Sequence, residues 1–298
     1  MNGRTPSVLL AAVAAVPFFV LPGRLGAQGA PSFSGHYPIG VEGIKAGSVP
    51  PPGTYVRDYT VLYFSDDLPK GPPNFDLLAC VNAFRGIWIT PLKVFGADYG
   101  LDFILPFGYT EVTAGPFDGA SFSLGDLAFE PLVLSWHLPR ADLAAGYALW
   151  IPAGSSSSRH PTKLGKGFWS NMFTAGATWY ADEGRTWAAS ALARYELHTE
   201  HRDLGVTPGD TLSLEWGLSK TVCKRFDLGV VGYWQQQTTR DRGSGASAVR
   251  DSVAGVGFEA AAAFPEKGIF TSFRYVCEVA SRDRPQGHSI VLTLTLAF

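Results

Sequence analysis

Fourteen side chains stand out by type and spacing: Asp98, Asp102, Asp126, Glu130, Arg194, Glu196, His198, Glu215, Tyr233, Gln235, Gln237, Glu259, Arg274 and Glu278. Many recur at every second or fourth position inside apolar stretches, so each set shares one face of an extended chain. Carboxylates and a few cations facing a common space can line a narrow polar pore that selects by charge and width. They can equally neutralise one another as internal salt bridges that fill that space, with Arg194 and Arg274 the evident partners. Both readings stay open at this stage. His198 and His201, near Glu196, Glu200 and Asp203, carry the side chains of a metal or hydrolytic site. No helix fixes an HExxH-like spacing, however, and GxSxG is absent. His288 and Ser289 are adjacent, which puts them on opposite faces of a strand. No glycine loop that cradles phosphates occurs, and 154–158 and 243–245 read as surface loops. The sequence predicts no catalytic residue, no metal site and no cofactor.

The elements that must carry these residues are strands. In the stretch 289–298, Ile290, Leu292, Leu294, Leu296 and Phe298 share one face, and Ser289, Thr293 and Thr295 share the other. In 186–200, Trp187, Ala189, Ala191, Ala193, Tyr195 and Leu197 oppose Ser190, Arg194, Glu196, His198 and Glu200. The same period of two recurs in 97–110 and 211–220. Twelve such segments are expected, over 54–64, 75–89, 97–112, 121–138, 141–153, 167–181, 186–200, 210–221, 226–240, 250–264, 269–281 and 287–298. Short connections at 91–96, 139–140, 182–185, 223–225 and 265–268 alternate with longer ones at 65–74, 155–166, 201–209 and 241–249. An even strand number with alternating turns and loops is the pattern of a transmembrane antiparallel up-and-down β-barrel, an all-β fold. Closure then requires the last strand to pair with the first. Tyr55, Trp88, Tyr109, Trp136, Trp150, Trp169, Trp179, Trp187 and Trp234 lie near strand ends and are expected in aromatic girdles. Gly125-Asp126 inside a strand reads as a bulge or a close backbone approach.

Composition agrees. Of 298 residues, 17% are charged, against about 25% in ordinary soluble proteins, and mean hydropathy is +0.08. Disorder is excluded by that hydrophobicity. With 24 Lys+Arg against 26 Asp+Glu, there is no cationic surplus for nucleic acid. Cys80, Cys223 and Cys277 are too few and too scattered for a disulfide scaffold. After residue 42 the longest stretch free of Asp, Glu, Lys and Arg is 143–158, which contains Pro152 and ends in four serines. No helical span is present, yet the chain is unusually apolar. A barrel reconciles the two, because its apolar residues occupy alternate positions.

Residues 1–27 read as a secretory signal peptide: Arg4 in the n-region, an apolar core from Val8 to Val20, and Leu25-Gly26-Ala27 before the cut. Residues 28–53 form a Gly/Pro-rich periplasmic segment, with Pro50-Pro51-Pro52 as a stiff spacer. It is expected at, or partly inside, the periplasmic mouth, and 54–298 form the barrel.

Several motifs carry a family resemblance. They are Tyr37-Pro38-Ile39-Gly40-Val41-Glu42-Gly43, Ala46-Gly47, Pro50-Pro51-Pro52-Gly53-Thr54-Tyr55 with Tyr59 and Tyr63, Leu124-Gly125-Asp126-Leu127 with Pro131, and Trp136-His137-Leu138. Tyr233-Trp234-Gln235-Gln236-Gln237-Thr238-Thr239 and Arg284-Pro285-Gln286-Gly287 complete the set. In this order they resemble the "MetA-pathway of phenol degradation" family, over about residues 35–298. The resemblance implies a bacterial outer-membrane barrel that helps small, often aromatic or apolar, solutes across, and it implies no enzyme. The terminal aromatic Phe298 on an amphipathic last strand resembles the signal read by the barrel-assembly machinery. Expected partners are therefore outer-membrane lipid, that machinery and a small-molecule solute, with no nucleic acid. Passive passage is the leading function. A plugged structural or surface-binding barrel is the alternative, and an outer-membrane lipid hydrolase a third.

Overall fold

Alternation along each strand decides which face meets lipid. In the strand Thr211–Val222, Thr211, Ser213, Glu215 and Ser219 are buried while Leu214 and Leu218 are exposed. The computed structural model describes residues 35–157, 161–244 and 246–298, so the expected signal peptide lies outside the described residues. The strands are β1 (Gly53–Asp67), β2 (Asp76–Val94), β3 (Ala97–Ala114), β4 (Phe117–Leu124) and β5 (Leu127–Leu138). They continue with β6 (Ala141–Ile151), β7 (Ser170–Tyr180), β8 (Trp187–His198), β9 (Val206–Thr207) and β10 (Thr211–Val222). The last are β11 (Phe226–Gln237), β12 (Arg242–Gly243), β13 (Ser252–Phe264), β14 (Ile269–Arg282) and β15 (Gln286–Ala297).

The short strands β9 and β12 pair only with each other. All others form one antiparallel ring. β1 pairs with β2 on one side and with β15 on the other, from Tyr55↔Ala297 to Phe64↔His288. β4 and β5 both pair with β3 and form a single stave interrupted at Gly125-Asp126, where Gly125 N–H donates to Pro106 O at 2.8 Å. The result is a closed barrel of twelve staves, as the alternation predicts. Each stave has a neighbour on both sides except along β4, which pairs with β3 alone, so the closed part of the ring leaves no row of backbone donors and acceptors facing lipid.

Sharp turns gather at one end. Phe95 and Gly96 both have positive φ (50° and 79°) in a two-residue hairpin, the geometry that matches strand twist. In the 181–186 turn the Asp182 carboxylate accepts the N–H of Trp187 at 2.7 Å and of Thr186 at 2.9 Å. These bonds hold it below the usual carboxylate range. The opposite end carries the loops 152–169, 199–210 and 238–251. Two connections there, 115–116 and 283–285, are as short as turns, so the alternation in length is less strict than the sequence suggests.

An apolar belt surrounds the ring. Trp88, Trp179 and Trp187 are exposed near the turn end, and Trp169 and Trp234 near the loop end. Two expected girdle residues do not join it. Tyr55 and Trp150 are buried and point inward. Their parity explains this: Tyr55 shares a face with Tyr59, and Trp150 with the buried Asp142. Nearness to a strand end is a weaker signal than the face.

Val230 stands at mid-height on the outer face and is 54% exposed. Val230→Arg should cost about 2–4 kcal/mol, the midplane cost of a cation on a barrel wall. Urea unfolding in vesicles measures this, and a cost under about 1 kcal/mol would place the residue outside the bilayer core.

Candidate functional site

All fourteen side chains singled out by spacing are buried. They stand on β3, β5, β8, β10, β11, β13 and β14, with Asp126 in the β4–β5 interruption. Most do not face one another across an empty space. Residues 35–52 run through the barrel from the loop end to the turn end, and the wall holds them along the way. The segment, expected at or partly inside the periplasmic mouth, extends through the interior to the loop end.

Near the loop end, Glu196 accepts the backbone N–H groups of His36 (2.8 Å) and Tyr37 (3.2 Å). The His36 ring donates from Nε2 to Asp126 Oδ2 at 3.0 Å, and its Nδ1 meets Ser170 Oγ at 2.6 Å. Ser170 Oγ also contacts His198 Nδ1 at 2.6 Å. Trp150 stacks on His36, with centroids 5.3 Å apart. Asp126 is completed by the N–H groups of Gly154 (2.9 Å) and Lys166 (2.7 Å), which tie the 152–169 loop over it. At mid-height Glu215 accepts the Tyr37 hydroxyl and the Glu42 N–H (3.0 Å). Arg194 lies over the Tyr37 ring at 4.1 Å and forms no ion pair among the described residues, so there it is not the salt-bridge partner expected of it. Toward the turn end, Glu259 accepts the Ile44 N–H at 2.8 Å and forms a two-point pair with Arg274 at 3.0 and 2.9 Å. Arg274 also donates to Gly40 O at 2.9 Å. Lys45 pairs with Asp227 at 2.7 Å, and the Ser48 hydroxyl donates to Asp142 at 2.8 Å. Buried carboxylates surrounded by N–H and O–H donors are satisfied anions.

Other expected residues serve the wall. Glu278 accepts the hydroxyls of Tyr63 (2.8 Å) and Tyr233 (2.9 Å), and Gln237 donates to Asp241 at 2.8 Å. Gln235 joins wall and segment, donating to Ser213 at 2.8 Å and to Tyr37 O at 3.3 Å and accepting from Arg284 at 2.6 Å. Asp98 sits at the turn end with Lys93 and, at 3.8 Å, His137.

Sequence reasoning passed over the most heavily engaged cation. Arg85 Nη2 contacts Asp102 at 2.5 Å and Glu130 at 2.6 Å, and its Nη1 lies 3.5 Å from Glu42. Arg57 lies 3.7 Å from the same Glu42. A signal existed: Arg85 is the only charged residue between Asp76 and Lys93. Glu42 and His36 gave no strand signal because they lie outside any strand.

Chemically, Asp126, His36 and Ser170 make contacts in the order of a hydrolytic triad. Ser170 is 0% exposed, so no lipid substrate reaches its hydroxyl in this arrangement. Donor atoms of His36, Glu196 and His198 lie within 4.8 Å of one another, a combination able to ligate a metal. Hydrogen bonds to Ser170, Asp126 and the segment's amides already engage them. His201, the other histidine of the suggested site, instead accepts the Asp203 N–H at 3.1 Å. A cavity of about 230 Å³ remains between residues 41–48 and the wall formed by β13, β14, β15 and β1. Small side chains such as Ala261, Ser272 and Thr293 line it, together with Arg57, Tyr59 and Phe270.

A closed ring with an apolar outer belt and a polar, filled interior defines a β-barrel of the bacterial outer membrane, its turn end periplasmic. Residues 52–294 match the family described as "Putative MetA-pathway of phenol degradation", and the chain belongs to it. Among solved structures it is similar to the COG4313 outer membrane channel from Pseudomonas putida F1. The TM-score is 0.75 at 17% identity, covering 85% of this chain and 97% of that one. It is also similar to the transport unit of the autotransporter AIDA-I from Escherichia coli, with TM-score 0.50, 11% identity and coverage of 83% and 90%. No curated protein matches the chain.

Gly47 packs so closely that a Cβ there would lie 2.4 Å from the Ala177 backbone. Gly47→Leu should therefore lift the segment off the wall. Protease should then cleave within 35–52 of the folded barrel, and bilayer conductance should rise. Wild-type cleavage and conductance would contradict the seating described. Arg85→Leu leaves Asp102 and Glu130 without their cation and should destabilise the barrel by about 3–5 kcal/mol in urea unfolding.

Proposed function

We propose that this barrel gives passive passage to small solutes, aromatic or apolar ones among them. The observation that carries the reading is the incomplete filling of the interior. Twelve staves enclose more space than their own side chains occupy, residues 35–52 take up part of it, and the 230 Å³ cavity remains beside them at the periplasmic end. Lys45, Arg57 and Arg274 are balanced there by Glu42, Asp227 and Glu259. A neutral solute meets no net field on that path, whereas a bare ion meets groups of both signs. The likeness to the Pseudomonas putida protein, an outer membrane channel, and the family's link to phenol degradation support the same reading.

In this reading the fourteen buried side chains act as a frame. They hold the segment and so set the width of the passage, and the solute touches only those near the cavity. The protein is not an enzyme in this account: the Ser170 hydroxyl is enclosed, and passive passage needs no catalytic group. Assembly runs through the last strand and Phe298, which is 79% exposed at the periplasmic rim.

One observation favours a second reading, a barrel whose interior is permanently plugged. The segment is tied to the wall at both ends and in the middle.

Solute uptake by liposomes carrying the refolded protein separates the two. Passage predicts that phenol enters faster than a disaccharide, and that Ala261→Trp, which fills the cavity, slows phenol several-fold. Equal exclusion of both probes, with no conductance steps in a planar bilayer, would establish the plugged barrel instead.

A further inference from the structure

Exposed charges at the loop end differ between two sectors, with Glu200, Arg202 and Asp203 of the 199–210 loop outside both. Over β1 to β4 they are Asp66, Asp67, Asp76, Glu111 and Asp118 against Lys70 alone. Over β11 to β14 they are Arg240, Arg242, Arg250 and Arg282. The acids of this second sector are engaged. Asp241 is buried and accepts from the Gly209 N–H and the Gln237 amide, both at 2.8 Å. Asp251 is buried, and Asp283 accepts the Ser247 hydroxyl at 3.2 Å. Among the described residues none of the four exposed arginines forms an ion pair.

The ladder fixes the height of this sector. Trp234 is on the outer face, in the rung Trp234↔Ala254↔Ala280. Two residues higher, in the rung Gln236↔Ser252↔Arg282, Arg282 stands roughly 7 Å beyond the tryptophan. An interfacial tryptophan marks the headgroup level, so Arg282 and the arginines of the 238–251 loop sit at that level and above. The Ser247–Asp283 bond and the β9–β12 ladder hold this loop against its neighbours. Below the arginines, Val256 and Val279 present an exposed apolar face beside Trp234. Guanidinium groups without an ion-pair partner, Arg250 donating only to Thr238 O at 3.0 Å, stand over an apolar face and suit a ligand with phosphates above and acyl chains beneath.

We propose that the arginine rim over β11 to β14 binds the phosphate groups of a phosphorylated glycolipid of the outer leaflet. The acyl chains of that lipid lie on the Trp234–Val256–Val279 face. The acidic rim over β1 to β4, separated from β14 by β15 alone, repels the same headgroup, so the lipid is held on the arginine sector only.

The test is a binding titration of the refolded full chain in detergent with lipopolysaccharide, with dephosphorylated lipopolysaccharide, and with inorganic phosphate as competitor. The variant R240Q/R242Q/R250Q/R282Q should bind lipopolysaccharide about tenfold or more weakly, a loss of at least about 1.4 kcal/mol. Dephosphorylation should weaken binding to the wild type similarly, while D66N/D67N/D76N should bind at least as well as wild type. The gel shift between boiled and unboiled samples checks that the quadruple variant is folded, and R250Q/R282Q, with an intermediate loss, guards against a folding defect. Unchanged binding by the folded quadruple variant, or equal affinity for the dephosphorylated lipid, would overturn the proposal. So would complete displacement by millimolar phosphate, which would make the rim a site for free anions.

Discussion

Lipid offers no hydrogen bonds, so each backbone amide and carbonyl at membrane depth must find a partner inside the protein. The pairing of β1 with β15 meets that demand for the two strands that would otherwise be edges. Everything else in the molecule is downstream of that seam. A ring of twelve staves is wider than one of eight, which its own side chains fill, and narrower than one of sixteen, which holds open water. An intermediate ring leaves a space that must be occupied by water, by solute or by more chain.

Here more chain occupies most of it. A segment of irregular backbone within a barrel carries unpaired N–H groups, and a wall rich in acids carries unpaired oxygens; each alone would be costly. Together they satisfy one another. Glu196, Glu215 and Glu259 each accept a backbone N–H from the segment. The segment's own Glu42 lies within ion-pair distance of Arg57 and Arg85. Glycines make the contact possible: at Gly35 and Gly43 a Cβ would meet the carboxylates of Glu196 and Glu259, and at Gly47 the wall backbone itself. The acidic interior is therefore a seat for the segment, and the remaining cavity inherits its balanced charge from the pairs that hold that seat.

The strands were legible because lipid enforces alternation. All twelve expected segments correspond to staves, and even the Gly125-Asp126 bulge was visible as a glycine and an acid interrupting an apolar run. The burial of the fourteen side chains followed from the same parity. What parity does not encode is the partner. Arg194 was expected to neutralise an acid and instead lies over Tyr37, because the nearest π-face belongs to the segment and not to the wall. Tyr55 and Trp150 were assigned to the girdles by their place near strand ends, although their face already pointed inward. His36 and Glu42 sit in a stretch without period, where a sequence states composition but not position. Reading that stretch as an internal element would have required matching its glycines to the wall's acids across about 160 to 215 residues of chain.

The most direct test of this account is amide hydrogen exchange on the refolded protein in detergent. Residues 36, 37, 42 and 44 donate their N–H groups to wall carboxylates and lie in no strand. The account predicts that these four amides exchange as slowly as neighbouring strand amides, and that Glu196→Ala selectively releases 36 and 37. Exchange of all four at the rate of an unstructured peptide, with the strands still protected, would contradict it.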